Sequence, residues 1–235
     1  MILLPAMVIM VLLFVYFFCG LSDLHFHKKK RGDMIRIACV GDSITNGALI
    51  PFCFFRSYPA ALKKALAKGH QVENFGLNGR TLQLSADRPF EREKEYQRAA
   101  AFSPDISVIM LGTNDTKPCN WQGTEAFLTE YRRFLSAFRE SSGCEKIIIC
   151  TPVWGVNAKD RFQYLTNDTD AAVLPGIAAC VRQLARENGL ALADLYACTE
   201  GKRDLISYDG CHPNAKGARL IAAEIAKLIS RQRVI

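Results

Sequence analysis

A chain of 235 residues, 49% hydrophobic and 23% charged, has room for one α/β domain with an ordinary core and is short for two. Lys and Arg outnumber Asp and Glu by 30 to 23, a formal net charge of +7, but Lys28, Lys29, Lys30 and Arg31 supply four of those positives in one segment. The remaining basic charge is dispersed, with no cationic stripe interleaved with aromatics, so nucleic acid is excluded as the expected partner.

The chain opens on an uncharged stretch from Met1 to Ser22, and its apolar run 2–21 is long enough to span a hydrocarbon core as one helix. The expected organisation is a membrane segment and basic linker over residues 1–33, followed by a single domain over 34–235. A cleaved signal peptide fits less well, because no basic residue precedes the apolar run and no small-x-small site follows it. With the basic cluster on the C-terminal side, the positive-inside rule places the domain in the cytoplasm. Two alternatives stay open: a soluble cytoplasmic domain starting at Met34, which directly precedes the first strand, or an extracytoplasmic domain.

From residue 34 onward, short β-rich runs alternate with longer helical patterns. Strands are predicted at 35–40, 71–75, 106–111, 146–151 and 190–194. The third and fourth are almost continuously apolar, as strands buried on both faces are. Pro59 and Gly69 bracket an Ala/Leu/Lys-rich helix. Residues 124–140 place Phe127, Tyr131, Phe134, Leu135 and Phe138 at helical spacing, a core face. Helices over 170–188, closed by Gly189, and over 214–231 complete the pattern. The expected fold is a three-layer α/β/α sandwich with a five-stranded parallel sheet, flavodoxin-like, whose ligands lie beyond the carboxyl ends of the strands. Nine cysteines without a C-x-x-C pair or zinc spacing read as reduced thiols, with Cys39 and Cys150 as small buried hydrophobes. No metal or organic cofactor is expected.

The first strand runs into Gly41-Asp42-Ser43, which puts a serine where a nucleophile could meet substrate; standing alone, this reads more readily as a capped turn. A serine hydroxyl needs a positioned base, and histidine has the suitable pKa. Of the four histidines, His25 and His27 lie in the N-terminal tail and His70 follows a helix-ending glycine, leaving His212. Asp209, three residues earlier, is close enough to hold the imidazole in the productive tautomer, and Asn214 is a plausible cap for the last helix. Donors for a developing oxyanion are offered after the second and third strands, by the Gly79 N–H and the Asn114 side chain, although both stretches also look like ordinary turns.

Gly-Asp-Ser, Asn-x-x-x-x-Gly-x-Thr, Gly-x-Asn-Asp and Asp-x-x-His occur in this order, each just past the end of an element. In this the chain resembles the SGNH hydrolases, the GDSL-like esterase and lipase superfamily, over essentially all of residues 34–235. The resemblance implies Ser43 as nucleophile, Asp209 and His212 as its partners, and an oxyanion hole formed by the N–H of Ser43 and Gly79 and the amide of Asn114. It implies acyl transfer through a serine acyl-enzyme on short-chain carboxylic esters, with O-acetyl groups on carbohydrates as a subfamily-level expectation. Lysophospholipid or thioester hydrolysis, acyl transfer to an acceptor other than water, and a non-catalytic binding module are the alternatives; a flavin or nucleotide binder is disfavoured because G-x-G-x-x-G and a P-loop lysine are missing. Arg80, Lys117 and Trp121 are candidates for the substrate rim, and Trp121 reads equally as a core anchor. Of the two Asn-x-Thr sequons, at Asn114 and Asn167, neither is expected to be glycosylated.

Overall fold

The computed structural model describes residues 34–66, 68–156 and 168–231. Five strands, β1 (Ile35–Gly41), β2 (His70–Gly76), β3 (Ile106–Met110), β4 (Lys146–Cys150) and β5 (Ala191–Ala193), form one all-parallel sheet in the order β2-β1-β3-β4-β5. The helices are α1 (Ser43–Asn46), α2 (Cys53–Arg56), α3 (Tyr58–Ala65), α4 (Lys94–Ala101), α5 (Thr124–Ser142), α6 (Leu174–Asn188), α7 (Leu195–Thr199) and α8 (Ala215–Arg231).

The period of a strand divides the core in two. Ala38, Val40, Ile109, Ile147 and Ile149 point to one face and bury the aromatic side of α5, with Phe127, Tyr131, Phe134 and Phe138, together with Ile177, Val181 and Leu184 of α6. Ile37, Cys39, Val108, Ile148 and Cys150 point to the other and meet Tyr58 and Leu62 of α3 and Ile221, Ile225 and Ile229 of α8. This is the expected doubly wound α/β/α sandwich. In a sheet of this order the chain winds in opposite directions from β1 and β3, so a crevice opens beyond their carboxyl ends.

Several boundaries differ from the sequence-based expectation. The helix expected from 170 begins at Leu174, because Pro175 favours the first turn and the preceding residues form a turn in which Asp170 Oδ1 accepts the Ala172 N–H at 3.0 Å. The helix expected to reach Gly69 ends at Ala65, and β5 is shorter than predicted, an edge strand of three residues. Helix α4 was not anticipated at all: it buries Tyr96, Ala99 and Ala100, too few apolar residues to announce a face. All eight described cysteines are free thiols. Burial pushes the Cys39 thiol up to about 12 and the Cys150 thiol higher still, which makes both inert. The expected membrane segment over 2–21 and the sequon at Asn167 lie outside the described residues; among the described residues no helix is long and apolar enough to cross a membrane.

Candidate active site

At the end of β1 the backbone has no room for a side chain. A Cβ on Gly41 would lie 2.1 Å from Thr45 Oγ1 and 2.5 Å from the Met110 carbonyl, and one on Gly76, alongside in β2, would lie 2.2 Å from the Asn46 nitrogen. The two glycines let the turn that follows β1 press onto its neighbours. Asp42 caps that turn, its Oδ1 accepting the Ile44 N–H at 2.9 Å, and α1 stops at Gly47 in the left-handed region. Asn74 Nδ2 donates to the Thr45 carbonyl at 3.0 Å and Asn46 Nδ2 to Asn78 Oδ1 at 2.9 Å, fastening the turn to the end of β2. Ser43, the first residue of α1, is thereby held at the β1/β3 crevice.

His212 arrives from the far end of the chain. Its loop is closed by a bridge between Ile206 and Pro213, by the Ser207 N–H on the His212 carbonyl at 2.7 Å, and by Asn214, whose Oδ1 caps α8 by accepting the Lys216 N–H at 2.9 Å. Asp209 Oδ1 accepts the N–H groups of Cys211 (3.2 Å) and His212 (3.1 Å), while its Oδ2 is paired with His212 Nδ1. The other ring nitrogen, His212 Nε2, stands 2.7 Å from Ser43 Oγ, across 169 residues of sequence. Burial alone would push the Asp209 carboxyl up, but the His212 ring and the two backbone N–H groups outweigh it and hold the group below its ordinary value, so it stays ionised beside the imidazole. With Asp209 and His212 only 7% and 5% exposed, this electrostatic coupling acts largely out of water.

A second layer of polar groups ties the ends of β1, β2 and β3 together. Asn114, buried in a 3₁₀ turn after β3, directs its Nδ2 to the Arg80 carbonyl at 3.0 Å and towards Asp42 Oδ2 at 3.4 Å. The Asp115 carboxylate, wholly buried, accepts the Leu82 N–H (2.9 and 3.1 Å to its two oxygens) and the Gln83 N–H (2.9 Å), so it clamps the Gly79–Gln83 loop against the turn that carries Asn114. Gly79 has φ +76, a left-handed conformation that favours glycine, with Arg88 Nη1 3.6 Å from where a Cβ would sit. Burial pushes the Asp42 carboxyl up to about 6, against the pull of the Ile44 N–H and His212, and the Asp115 carboxyl up to about 7, against the pull of the Gln83 and Leu82 N–H groups.

The three rim candidates fare differently. Arg80 spends its guanidinium inside the protein, with Nε on Glu93 Oε1 at 3.0 Å and Nη1 on the Asn78 carbonyl at 2.6 Å. Trp121 packs against the α5 side of the core with its ring 6.3 Å from that of Phe127, which is the core-anchor alternative. Lys117 is half-buried, and its charge opposes in small part the upward push that burial exerts on Asp42 and Cys211. Asp42, Asp115 and the buried Asn120 escaped the sequence reading as members of the site. The first two lie within the quoted motifs, where an acidic residue at the cap or after Asn114 was the available signal; Asn120 left none. Among the described residues, no group of three or more His, Cys, Asp or Glu is placed to hold a metal ion.

A parallel sheet of this order, with a serine at the end of β1 and an Asp-x-x-His loop before the last helix, is the arrangement of an SGNH-type hydrolase. The chain belongs to the GDSL-like lipase/acylhydrolase family, whose model matches residues 39–220. It is similar to an acetylxylan esterase of Xylanibacter ruminicola, with 35% identity over 215 residues, covering 84% of this chain and 43% of that protein. The chain therefore spans less than half the length of the curated relative it matches. Its fold is shared with a carbohydrate acetylesterase family member from Sinorhizobium meliloti (22% identity, TM-score 0.66, covering 86% of this chain and 100% of that one). It is shared also with the inhibitor-bound aryl esterase of M. smegmatis (20% identity, TM-score 0.67, covering 84% and 99%).

Proposed function

We propose that this protein is a serine esterase that cleaves short-chain carboxylic esters, acetyl groups on carbohydrates foremost, through an acyl-enzyme at Ser43. The observation that carries this reading is the 2.7 Å approach of His212 Nε2 to Ser43 Oγ while Asp209 occupies the opposite ring nitrogen. His212 takes the Ser43 proton as the oxygen attacks the ester carbonyl, and Asp209 stabilises the imidazolium. The tetrahedral oxyanion is received by the N–H of Ser43, at a helix start where N–H groups lack intrahelical partners, by the N–H of Gly79, and by the Asn114 amide, which gives up its long 3.4 Å contact with Asp42 for it. Collapse breaks the bond to the alcohol oxygen, which leaves with the proton from His212. Water, deprotonated by His212, then attacks the acyl-enzyme and releases the acid, restoring Ser43. The acetyl preference and the carbohydrate alcohol are supported by the similarity to the acetylxylan esterase.

Hydrolysis of a 4-nitrophenyl ester series, from acetate to palmitate, tests the acyl-length part of the proposal. Turnover falling steeply beyond the short acyl groups is the expected result; a preference for long chains would transfer the assignment to lipid esters. For the residues before 34, we propose a membrane anchor over 2–21 and a basic linker, with the domain on the cytoplasmic side. Fractionation of the full chain alongside a chain starting at Met34 tests it, and recovery of both in the supernatant would overturn it.

A further inference from the structure

The large apolar side chains exposed among the described residues are Phe52 (63%), Phe54 (43%), Phe55 (66%) and Tyr208 (52%). The three phenylalanines occupy one short segment between Ser43 and α3, and Tyr208 directly precedes Asp209, so all stand on the two segments that carry Ser43 and His212.

The phenylalanine segment is fixed at both ends. Ile50 before it and Tyr58 after it are buried in the core together with Leu62 of α3. A Cβ on Gly47, which ends α1, would lie 2.7 Å from the Ser57 Cβ and 3.0 Å from that of Cys53, so α2 packs directly on the turn that presents Ser43. Leu49 and Phe52 adopt the left-handed conformation, with φ 61 and 57. Strain of this kind persists where the surroundings impose it, here through the Phe55 N–H on the Phe52 carbonyl at 2.9 Å and the Ser57 N–H on the Cys53 carbonyl at 2.8 Å. The outcome is a braced aromatic prong that turns Phe52, Phe54 and Phe55 to solvent.

The charge around the prong has one sign. From Ser43 to Val72 there is no Asp or Glu, while Arg56, Lys63, Lys64 and Lys68 are all exposed. Lys64 Nζ donates to the Phe55 carbonyl at 2.9 Å, which joins the cationic face of α3 to the prong itself. On the opposite face of the sheet the charges are mixed and paired: Arg132 of α5 meets Glu187 of α6, and Arg133 meets Glu91 and Glu130.

We infer that the prong and its cations form a docking surface for an anionic lipid bilayer, the phenylalanines entering the interface while Arg56, Lys63, Lys64 and Lys68 meet the headgroups. Clustered exposed apolar side chains mark an interaction site, and aromatic rings favour the boundary between hydrocarbon and headgroups. Each Lys or Arg near an anionic surface strengthens attachment by about fivefold. A neutral polysaccharide would use the rings but not the charges. Docking here brings the crevice to the membrane surface, and it requires neither the esterase chemistry nor the anchor proposed over 2–21.

The test places an indole on the prong of the full chain by Phe55→Trp and, as a control, on exposed α6 by Arg186→Trp. Vesicles of phosphatidylcholine and phosphatidylserine, brominated on their acyl chains, quench an indole that enters the bilayer. Strong quenching is expected in Phe55→Trp beyond the background of Trp121 and Trp154, less on phosphatidylcholine alone, and none added in Arg186→Trp. Adding Arg56→Gln, Lys63→Gln and Lys68→Gln, which leaves Lys64 on the Phe55 carbonyl, should weaken docking about a hundredfold and remove the added quenching. In the wild type, the anionic vesicles should slow amide hydrogen exchange over residues 52–56. Absence of that protection, no added quenching on anionic vesicles, equal quenching on neutral ones, or quenching that survives the three added substitutions overturns the inference and leaves the esterase reading in place. An emission shift of Phe55→Trp with soluble xylan and none with vesicles overturns it as well, and gives the prong to a polysaccharide.

Discussion

Asp115 touches no reacting atom in the proposed mechanism, yet it binds the loop of Gly79 to the turn of Asn114, and its removal should separate two oxyanion donors. Asp115→Ala orphans two buried N–H groups, those of Leu82 and Gln83. At about 1–3 kcal/mol for each, the loss is about 2–6 kcal/mol of stability, a large part of what a domain of this size possesses. Asp115→Asn keeps one acceptor oxygen and costs less, while its amide N–H₂ now faces N–H groups. Misplacing one oxyanion donor costs about 10²–10³ in kcat. The assay is steady-state hydrolysis of 4-nitrophenyl acetate at a temperature where circular dichroism shows the variant folded. The expected result for Asp115→Asn is kcat down by about 10² with KM little changed, since the donors act on the transition state more than on bound ester. A variant that melts earlier but keeps wild-type kcat would refute the clamp as a positioning device and leave Asp115 a purely structural group.

Asp209→Asn should leave the fold intact, because the amide oxygen can still accept from His212 N–H, but cost about 10²–10⁴ in kcat through loss of the charge beside Nδ1; near-wild-type turnover would contradict the assigned role. The Asp42 carboxyl, raised to about 6 from an ordinary 3.8, retains in the folded chain a proton that the unfolded chain has released. Its contribution to stability is thus fullest below the lower value and is lost as pH rises through about 6, about 3 kcal/mol in all. The stability of wild type minus that of Asp42→Asn, from urea unfolding, should therefore fall between about pH 4 and pH 7; a flat difference would show that Asp42 titrates as an ordinary carboxyl. Trp121→Leu should lower the melting temperature while leaving KM for carbohydrate esters unchanged, and a raised KM would return Trp121 to the substrate rim.

The sheet was legible because parallel strands covered on both faces must be apolar along their whole length, as Ile106–Met110 and Lys146–Cys150 nearly are. Helix α5 was legible because its aromatics repeat at the helical period. Helix α4 was not, since a short helix that buries one tyrosine and two alanines has no apolar stripe to read. At the candidate site, Ser43, His212 and Asp209, which the structure brings together, could be picked out because each sits in a short motif beyond an element end, and the chain has few histidines to choose among. What stayed hidden depends on long-range hydrogen bonds. Asp115 reaches back 33 residues to Leu82, and Asn120 reaches 33 residues to Asp87; the pairing of such residues exists only once the loops after β2 and β3 lie side by side. Arg80 and Trp121 were offered to the substrate on their position in the chain, but a guanidinium beside Glu93 and an indole against Phe127 are spent on the fold.

The most direct measurement is hydrolysis of 4-nitrophenyl acetate by the wild type and by Ser43→Ala, with mass spectrometry of the wild type after treatment with an organophosphonate ester. The account requires that activity fall by several orders of magnitude in Ser43→Ala and that the phosphonyl adduct map to the peptide containing Ser43. Undiminished turnover in the variant, or an adduct on any other residue, would contradict Ser43 as the nucleophile and with it the proposed mechanism.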